Sequence, residues 1–313
     1  MPEGFRLYKT EAIVLDRRDF GEADRLLTLF TPGLGKVRAI AKGARRTTSR
    51  LSGHIELFTH TYLFLASGRN LDIVTQSQLI HSHERLREDL WRAALGLHVV
   101  ELANHFSEER LENPGLWRAL LEALRRLDSV DSPAMAVAET RAEYAVAPDV
   151  DSASAGLDPA FSGGPAADVP GADAEAAEQG GMAPGGMDGF GAELAVRFFE
   201  AQLLEHTGFR PELRCCTLCR DRLSPVENYF HAPSGGVLCP HCAAGHAGLL
   251  PVSVDAIKVL RLLQDGDYAL ASRLRLSSVA LREVETAMRR HLSHVLERDL
   301  RTVQLVDEIR VLG

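Results

Sequence analysis

Cysteine is missing from most of this 313-residue chain: all five lie between residues 215 and 242. That confinement excludes a disulfide framework spread through the fold. Long apolar runs are missing too. No stretch approaches the roughly 20 residues of a membrane-spanning helix, and Met1–Arg6 has no apolar segment of the kind that begins a secretory signal. The expectation is a cytoplasmic chain with reduced thiols, in which clustered cysteines favour metal over disulfides. Catalytic signatures are lacking as well. There is no Walker A run, no G-x-S-x-G elbow, no H-E-x-x-H and no dinucleotide fingerprint. The chain is therefore read as a non-enzyme. His81, His83, His98, His105, His291 and His294 are scattered, with no carboxylate-rich metal motif beside them, and read as satisfied surface or half-buried side chains.

What cysteine there is has a definite spacing. Cys216 and Cys219 form one C-x-x-C pair, Cys239 and Cys242 a second, with 19 residues between them. Two intervening residues let one tight turn aim both sulfurs at the same point, and two such turns complete a tetrahedron of thiolates. The reading is one structural Zn2+ held by Cys216, Cys219, Cys239 and Cys242. Cys215 is left over, and His241, inside the second knuckle, is a bystander. A closed four-thiolate shell has no open position for water or substrate, so it braces the fold and does not catalyse.

Lysine and arginine are absent from residues 142–196, which carry ten acidic residues; without that stretch the net charge of −8 becomes +2. The acidic balance of the whole chain therefore misleads about its partners. Residues 1–80 hold 12 Lys/Arg against 8 Asp/Glu. Residues 147–191 are nearly all Ala, Gly, Pro, Asp, Ser and Glu, too poor in large apolar residues to offset ordering entropy. They read as a disordered acidic insert, a solvated spacer between helices rather than a decoy for the basic face.

The pattern on either side of the insert is regular. Short strands are expected at Glu11–Leu15, Arg25–Phe30, Lys36–Ala41, Leu57–Ala66 and Leu71–Ile80, with turns at residues 31–35 and 67–70. Five strands in this length predict a Greek-key barrel of the OB type over residues 1–80, with an SH3-like barrel also allowed. From residue 81 the period becomes helical. One helix is expected from there to Phe106 on a face of Leu86, Leu90, Ala94 and Leu97, a second over Leu116–Leu127, and a third from Ser132 to about Tyr144. Helices resume from Glu193 to Gly208, over Val254–Leu263 and from Ser278 to about Leu300; Thr302–Leu312 is ambiguous. The fold class is α+β multidomain: an OB barrel (1–80), then a helical domain in two parts (81–146 and 192–313) around the insert, the second part carrying the knuckles (216–242).

Lys36, Arg38, Lys42, Arg45, Arg46 and Arg50 fall in 15 residues that contain no acid. Lys36 and Arg38 alternate on a strand and share a face. The rest lie in a loop with hydroxyls and a glycine, which reads as flexible. Such a strip suits phosphates, and on an OB-type barrel it points to nucleic acid. Six contacts to a single strand predict a log–log salt slope of about −4. Phe58, Tyr62 and Phe64 read as barrel core, which leaves no aromatic platform and no support for sequence-specific readout.

Three runs, residues 11–15, 21–31 and 35–46, together with the order barrel, helices, C-x-x-C pairs, resemble the RecO family of bacterial recombination mediators. The resemblance implies a non-enzymatic DNA-repair protein that binds single- and double-stranded DNA and anneals complementary strands. It implies work with RecR on DNA coated by single-strand-binding protein, so that RecA can load, and hence association with the nucleoid. It carries the six cations onto the family's basic barrel face, which is also the surface expected for RecR. It assigns the acidic tail of single-strand-binding protein to a basic, apolar groove in the helical domain; Arg289, Arg290 and Arg298 are candidates for it, without a residue-by-residue match to the family. The alternative reading is a zinc-stabilised interaction or transcription-regulatory module with incidental DNA contact. A metallohydrolase would need an open zinc position.

Overall fold

The computed structural model describes residues 7–129, 187–273 and 277–312. The helix expected over 132–144 and most of the 147–191 insert lie outside the described residues. The expected end of the insert is corrected at its C-terminal side, because a helix already begins at Met187.

Five strands close a barrel in the order β1-β2-β3-β5-β4, with β1 at Leu7–Phe20, β2 at Asp24–Thr31, β3 at Gly35–Ala41, β4 at His60–Ala66 and β5 at Asp72–His81. All neighbours are antiparallel except β3 and β5, whose parallel pairing sets Ile40 beside Ile73. This is the Greek-key arrangement of an OB barrel. Alternation decides what fills it: Val14, Leu27, Leu29, Val37, Ala39, Leu63, Leu65 and Val74 point inward and are buried. The turn into β3 needs glycine. Gly35 has φ +59°, and a Cβ there would lie 1.8 Å from the Leu111 carbonyl oxygen. That close approach lets residues 108–110 stitch onto β3, through Lys36 N–H to Glu108 O at 3.2 Å and Arg110 N–H to Lys36 O at 3.0 Å.

One side of the barrel carries apolar residues outward. Ile13, Leu15 and Phe30 belong to the helical core instead of the barrel interior. That core is built from α1 (Glu84–Glu88), α2 (Leu90–Phe106), α3 (Pro114–Asp128) and α4 (Met187–Thr207). The single helix expected from residue 81 is two. Asp89 leaves the helical conformation and its carboxylate accepts from Arg92 N–H, capping α2. The break resets the buried face, so Leu90 is 66% exposed although periodicity puts it with Leu86 and Ala94. Asn113 caps α3 through Leu116 N–H, with Pro114 in the first turn.

Helix α4 is apolar nearly all round, from Leu194 to Leu204, which marks it as central. Its two buried charges are paired, as burial requires. Arg197 Nη1 lies 2.9 Å from Glu200 Oε2, and the other Glu200 oxygen lies 2.9 Å from His98 Nε2. After the cysteine segment come α6 (Val254–Asp265), the short α7 (Tyr268–Ala271), α8 (Ser278–Leu296) and α9 (Arg301–Leu312). The chain turns between α8 and α9 at Glu297, which has φ +53°. The ambiguous C-terminal run is thus helical; α9 packs on α2 and is tied there by Thr302 N–H to Glu101 at 3.0 Å. Between α4 and α6 the cysteine segment forms β6 (Asn228–His231), β7 (Gly236–Leu238) and β8 (Leu250–Val252) in a sheet of order β7-β6-β8, with one helical turn, α5 (Pro240–Ala243), after β7.

Candidate nucleic-acid interface and metal centre

The six cations of the basic segment share a region without being equivalent. On β3, Val37, Ala39 and Ala41 point inward, which leaves Lys36 and Arg38 on the outer face. Lys36 turns toward the helices and donates to the Asn104 carbonyl oxygen at 2.7 Å. Burial there lowers its pKa, with Arg38 adding to the effect and Glu109 opposing it. Arg38 is exposed and only 3.8 Å from Glu109. Lys42, Arg46 and Arg50 are exposed and make no ion pair among the described residues.

The loop that carries them, which composition reads as flexible, is traced as a series of turns. Gly43 N–H donates to Asp24 Oδ1 at 2.7 Å, Arg45 N–H to Ala23 O at 2.9 Å and Ser49 N–H to Arg46 O at 2.9 Å. The β1–β2 hairpin thereby holds the loop in place. Arg45 also leans on Asp19 at 3.3 Å.

The aromatic residues depart from expectation. Phe58 is buried, but in the junction between barrel and helices, where its ring would meet a Cβ on Gly96 at 3.2 Å. Tyr62 and Phe64 are not core. Leu63 and Leu65 take the inward positions of β4, so Tyr62 and Phe64 face outward, Phe64 at 38% exposure. The signal was the strand's own alternation, Tyr-Leu-Phe-Leu, which composition-level counting of aromatics overlooks. The histidine expectation also needs correction. His83, His98 and His291 are buried, each with a hydrogen-bond partner: Phe58 O at 2.9 Å, Glu200 at 2.9 Å and Phe209 O at 2.8 Å. Of the arginines assigned to a groove, Arg289 is held by Asp307 at 2.8 Å and by Glu285 at 3.0 Å, and Arg290 is exposed. Arg298 contacts His105 at the rim of a cleft of about 540 Å³ between β1, α2 and the α8–α9 turn.

The cysteine segment brings together four of its five sulfurs. Those of Cys216, Cys219, Cys239 and Cys242 all lie within 4.8 Å of one another. Each pair sits on a tight turn: Arg220 N–H donates to Cys216 O at 3.0 Å, and Ala243 N–H to Cys239 O at 2.9 Å. A tetrahedron with metal–sulfur bonds of 2.3 Å has sulfurs about 3.8 Å apart; Cys219 and Cys239 are 3.9 Å apart. The electrostatics fit a cation as well. Burial opposes ionisation of Cys216, but main-chain N–H groups of Cys239, Cys219 and Leu218 outweigh it and draw its pKa to about 6. Cys219 is pushed to about 12: the Asp221 N–H favours its thiolate, but burial and the three neighbouring sulfurs outweigh that. Four sulfurs so close cannot all ionise unless a positive charge sits among them. Cys216, Leu238 and Ala243 form a small core of their own beneath the cysteine turns, while Leu213, Phe230, Ala232 and Val237 of the same segment are buried in the helical core. These residues can hold a metal ion, and Cys215 and His241 are not in the group.

The comparisons with known proteins agree with this architecture. Residues 5–83 match the family Recombination protein O N terminal, and residues 186–304 match Recombination protein O C terminal. The chain is 37% identical over 305 residues to the DNA repair protein RecO of Roseiflexus sp. (strain RS-1), which covers 97% of this chain and 87% of that one. The chain belongs to the RecO family. A second RecO relative, from Dehalococcoides mccartyi (strain ATCC BAA-2266 / KCTC 15142 / 195), is 34% identical with 96% of each chain covered. The RecO of Symbiobacterium thermophilum is 29% identical over 97% of this chain and 98% of that one. The first RecO family segment covers the barrel and the second runs from the start of α4 into α9, with α1, α2 and α3 between them. Membership places the chain in DNA repair and recombination. Among the described residues, no helix is long and apolar enough to cross a membrane.

Proposed function

We propose that this RecO-family chain is a recombination mediator that binds single- and double-stranded DNA and anneals complementary strands without a covalent step. With RecR, it helps RecA load on DNA coated by single-strand-binding protein. The observation that carries the reading is the exposed set Arg38, Lys42, Arg45, Arg46 and Arg50 along one OB barrel, its loop tied by main-chain N–H groups to the Asp24 carboxylate and the Ala23 carbonyl. A cationic surface of this kind neutralises phosphate charge, which lowers the repulsion between two strands as they approach. Hydrogen bonds from exposed amides and hydroxyls position the backbone without reading bases.

Two further parts take supporting roles. The metal is Zn2+, one ion held by the four cysteines, and it steadies the knuckle segment, which packs against α8 through Phe230 and His291, with no step of its own. The acidic tail of single-strand-binding protein is assigned to the cleft lined by Leu15, Leu97 and Val100, where Arg18, Arg298 and Arg301 stand among Asp16, Glu101 and Asp299. RecR takes the barrel.

The deciding experiment mixes complementary oligonucleotides coated with single-strand-binding protein and follows duplex formation with and without this chain. Acceleration is expected. With Lys36 engaged at Asn104, five cations remain for a single strand, so the log–log salt slope of binding should be about −3.5. No acceleration and a slope near zero would reject the reading.

A further inference from the structure

We propose that Tyr62 and Phe64, on the outer face of β4, form a base-stacking subsite for unpaired nucleic acid. Gln76 and Gln78 of β5 and Lys9 of β1 flank it. The inference rests on the reading of this barrel as nucleic-acid-binding and adds a second, chemically different contact to it.

The placement follows from strand geometry. Successive side chains of β4 alternate, and Leu63 and Leu65 fill the barrel at 0% exposure, so Tyr62 and Phe64 stand outside. The outward side of the barrel that is covered by helices lies elsewhere, at Ile13, Leu15 and Phe30. His60, the previous outward residue of β4, still packs edge-on against Trp117 of α3. Tyr62 and Phe64 follow it along the strand, and Phe64 keeps 38% of its surface in solvent.

The two rings are in contact with each other, with centroids 6.1 Å apart and planes at 70°. An edge-to-face pair consumes one face of one ring at most. The remaining faces are free of the pair and can take a base.

The neighbours suit a nucleotide better than an apolar protein surface. Register sets Lys9 on one side of Phe64 and Gln76 on the other; Tyr62 lies between Glu11 and Gln78. Lys9, Gln76 and Gln78 are exposed. Two amides supply donors and acceptors for base edges, and the ammonium supplies a phosphate contact. Among the described residues the carboxylate beside Tyr62 is Glu11, which bonds His60 Nε2 at 3.0 Å. The face also continues into the basic strip. Ile73 of β5 pairs with Ala66 of β4 and with Ile40 of β3, and Lys42 follows Ile40 by two residues. A strand can therefore pass from the cations after β3, across β5, to the rings on β4. Stacking is tolerant of sequence because every base has a π-face, and it selects single strands over duplex, whose bases are already stacked.

The test uses the full chain and three ligands: oligothymidylate, the same backbone with abasic sugars, and a duplex. Wild type should bind oligothymidylate more tightly than the abasic strand. Y62A/F64A should bind oligothymidylate about tenfold or more weakly, lose the preference for bases, and keep its duplex affinity within about twofold. Y62L/F64L, which keeps apolar volume and removes the rings, should behave the same, so a folding defect of the alanine variant is not decisive. F64W should retain binding and show tryptophan quenching by oligothymidylate. Equal binding of based and abasic strands by wild type overturns the inference. So does unchanged single-strand affinity in both double variants, including the case in which they lose RecR instead. If R45A/R46A weakens all three ligands in those cases, the DNA-binding reading stands without this subsite. If wild type binds none of the three, that reading fails first.

Discussion

Lys36 Nζ donates to the Asn104 main-chain oxygen at 2.7 Å, joining β3 to α2 across the junction of barrel and helices. A residue that spacing alone assigns to a phosphate strip is thus committed to holding two substructures together. Its partner is a carbonyl near the C-terminal end of α2, where a cation also meets the negative end of the helix dipole.

Replacing Lys36 with alanine should therefore affect stability more than DNA affinity. Loss of one charge-assisted hydrogen bond at a half-buried site costs about 1–2 kcal/mol. A lower urea midpoint with a salt slope close to that of wild type is expected. Denaturation and binding titrations over a salt series measure both; an unchanged midpoint with a clearly shallower slope would return Lys36 to the phosphate contacts.

Arg45 and Arg46 give the opposite expectation. The double alanine variant should keep its urea midpoint, since both guanidinium groups are exposed. It should bind all sequences more weakly by a similar factor, with a slope shallower by about 1.4 for single strands. Fluorescence anisotropy with several unrelated oligonucleotides checks this. Loss confined to one sequence would instead indicate base readout.

Metal removal should act on the knuckle segment. The segment packs Leu213, Phe230, Ala232 and Val237 into the helical core, but its cysteine turns sit on a core of three buried residues and should rely on bound metal, whose apparent contribution to folding is about 10–16 kcal/mol in small zinc domains. A strong chelator should release one Zn2+ per chain and open residues 212–250 to limited proteolysis while the barrel stays resistant. Cys239→Ser should reduce metal content in the same way, and Cys215→Ser should not. Elemental analysis and mass-mapped proteolysis read the outcome. Full metal retention by Cys239→Ser would exclude a closed four-thiolate shell.

His83 makes stability depend on pH. Its Nδ1–H donates to Phe58 O at 2.9 Å, and its Nε2 is buried without a partner. Burial, with the neighbouring His81 adding to it, lowers its pKa to about 4. An unfolded histidine takes its proton near 6.5. Above that pH both states are neutral and the stability is intact. Between about 6.5 and 4 only the unfolded chain is protonated, so stability falls as the pH falls, by on the order of 2–3 kcal/mol in total. His60 and His291, also pushed down by burial, add to the same limb. His83→Gln should be shallower between pH 6.5 and 4 than wild type in urea unfolding at stepped pH. Parallel curves would show that His83 is not the titrating group.

Much of the barrel was legible because its signals are local. Short apolar runs, the alternation of Lys36–Ala41 and the turns between them located all five strands, and the turn chemistry of Thr31–Gly35 lies where the chain reverses, with Thr31 Oγ1 bonded to Gly35 O at 3.0 Å. The cysteine cluster was legible for a similar reason, since a C-x-x-C turn aims its own sulfurs. Helix breaks were harder. Nothing in apolar spacing announces that Asp89 caps a new helix and turns Leu90 outward, because a cap competes with continuation and the balance depends on what each face can bury. Buried His98 was missed for a related reason. Its partners, Glu200 and Thr302, are 102 and 204 residues away in the chain.

The order of residues by itself determined the elements of this protein: five alternating strands, amphipathic helices, two metal-ready turns and a cationic segment of 15 residues. Those follow from nearest-neighbour sterics, side-chain periodicity and covalent spacing. Only the tertiary structure decided which cations remain available and which rings face solvent. Lys36 is withdrawn by a carbonyl 68 residues away. Tyr62 and Phe64 are left outside because closing the barrel spends the inward positions on Leu63 and Leu65. Periodicity groups Tyr62 with Phe64 opposite Leu63 and Leu65; which of those faces the barrel encloses, and which carbonyl lies beside Lys36, depends on what the fold brings next to the strand.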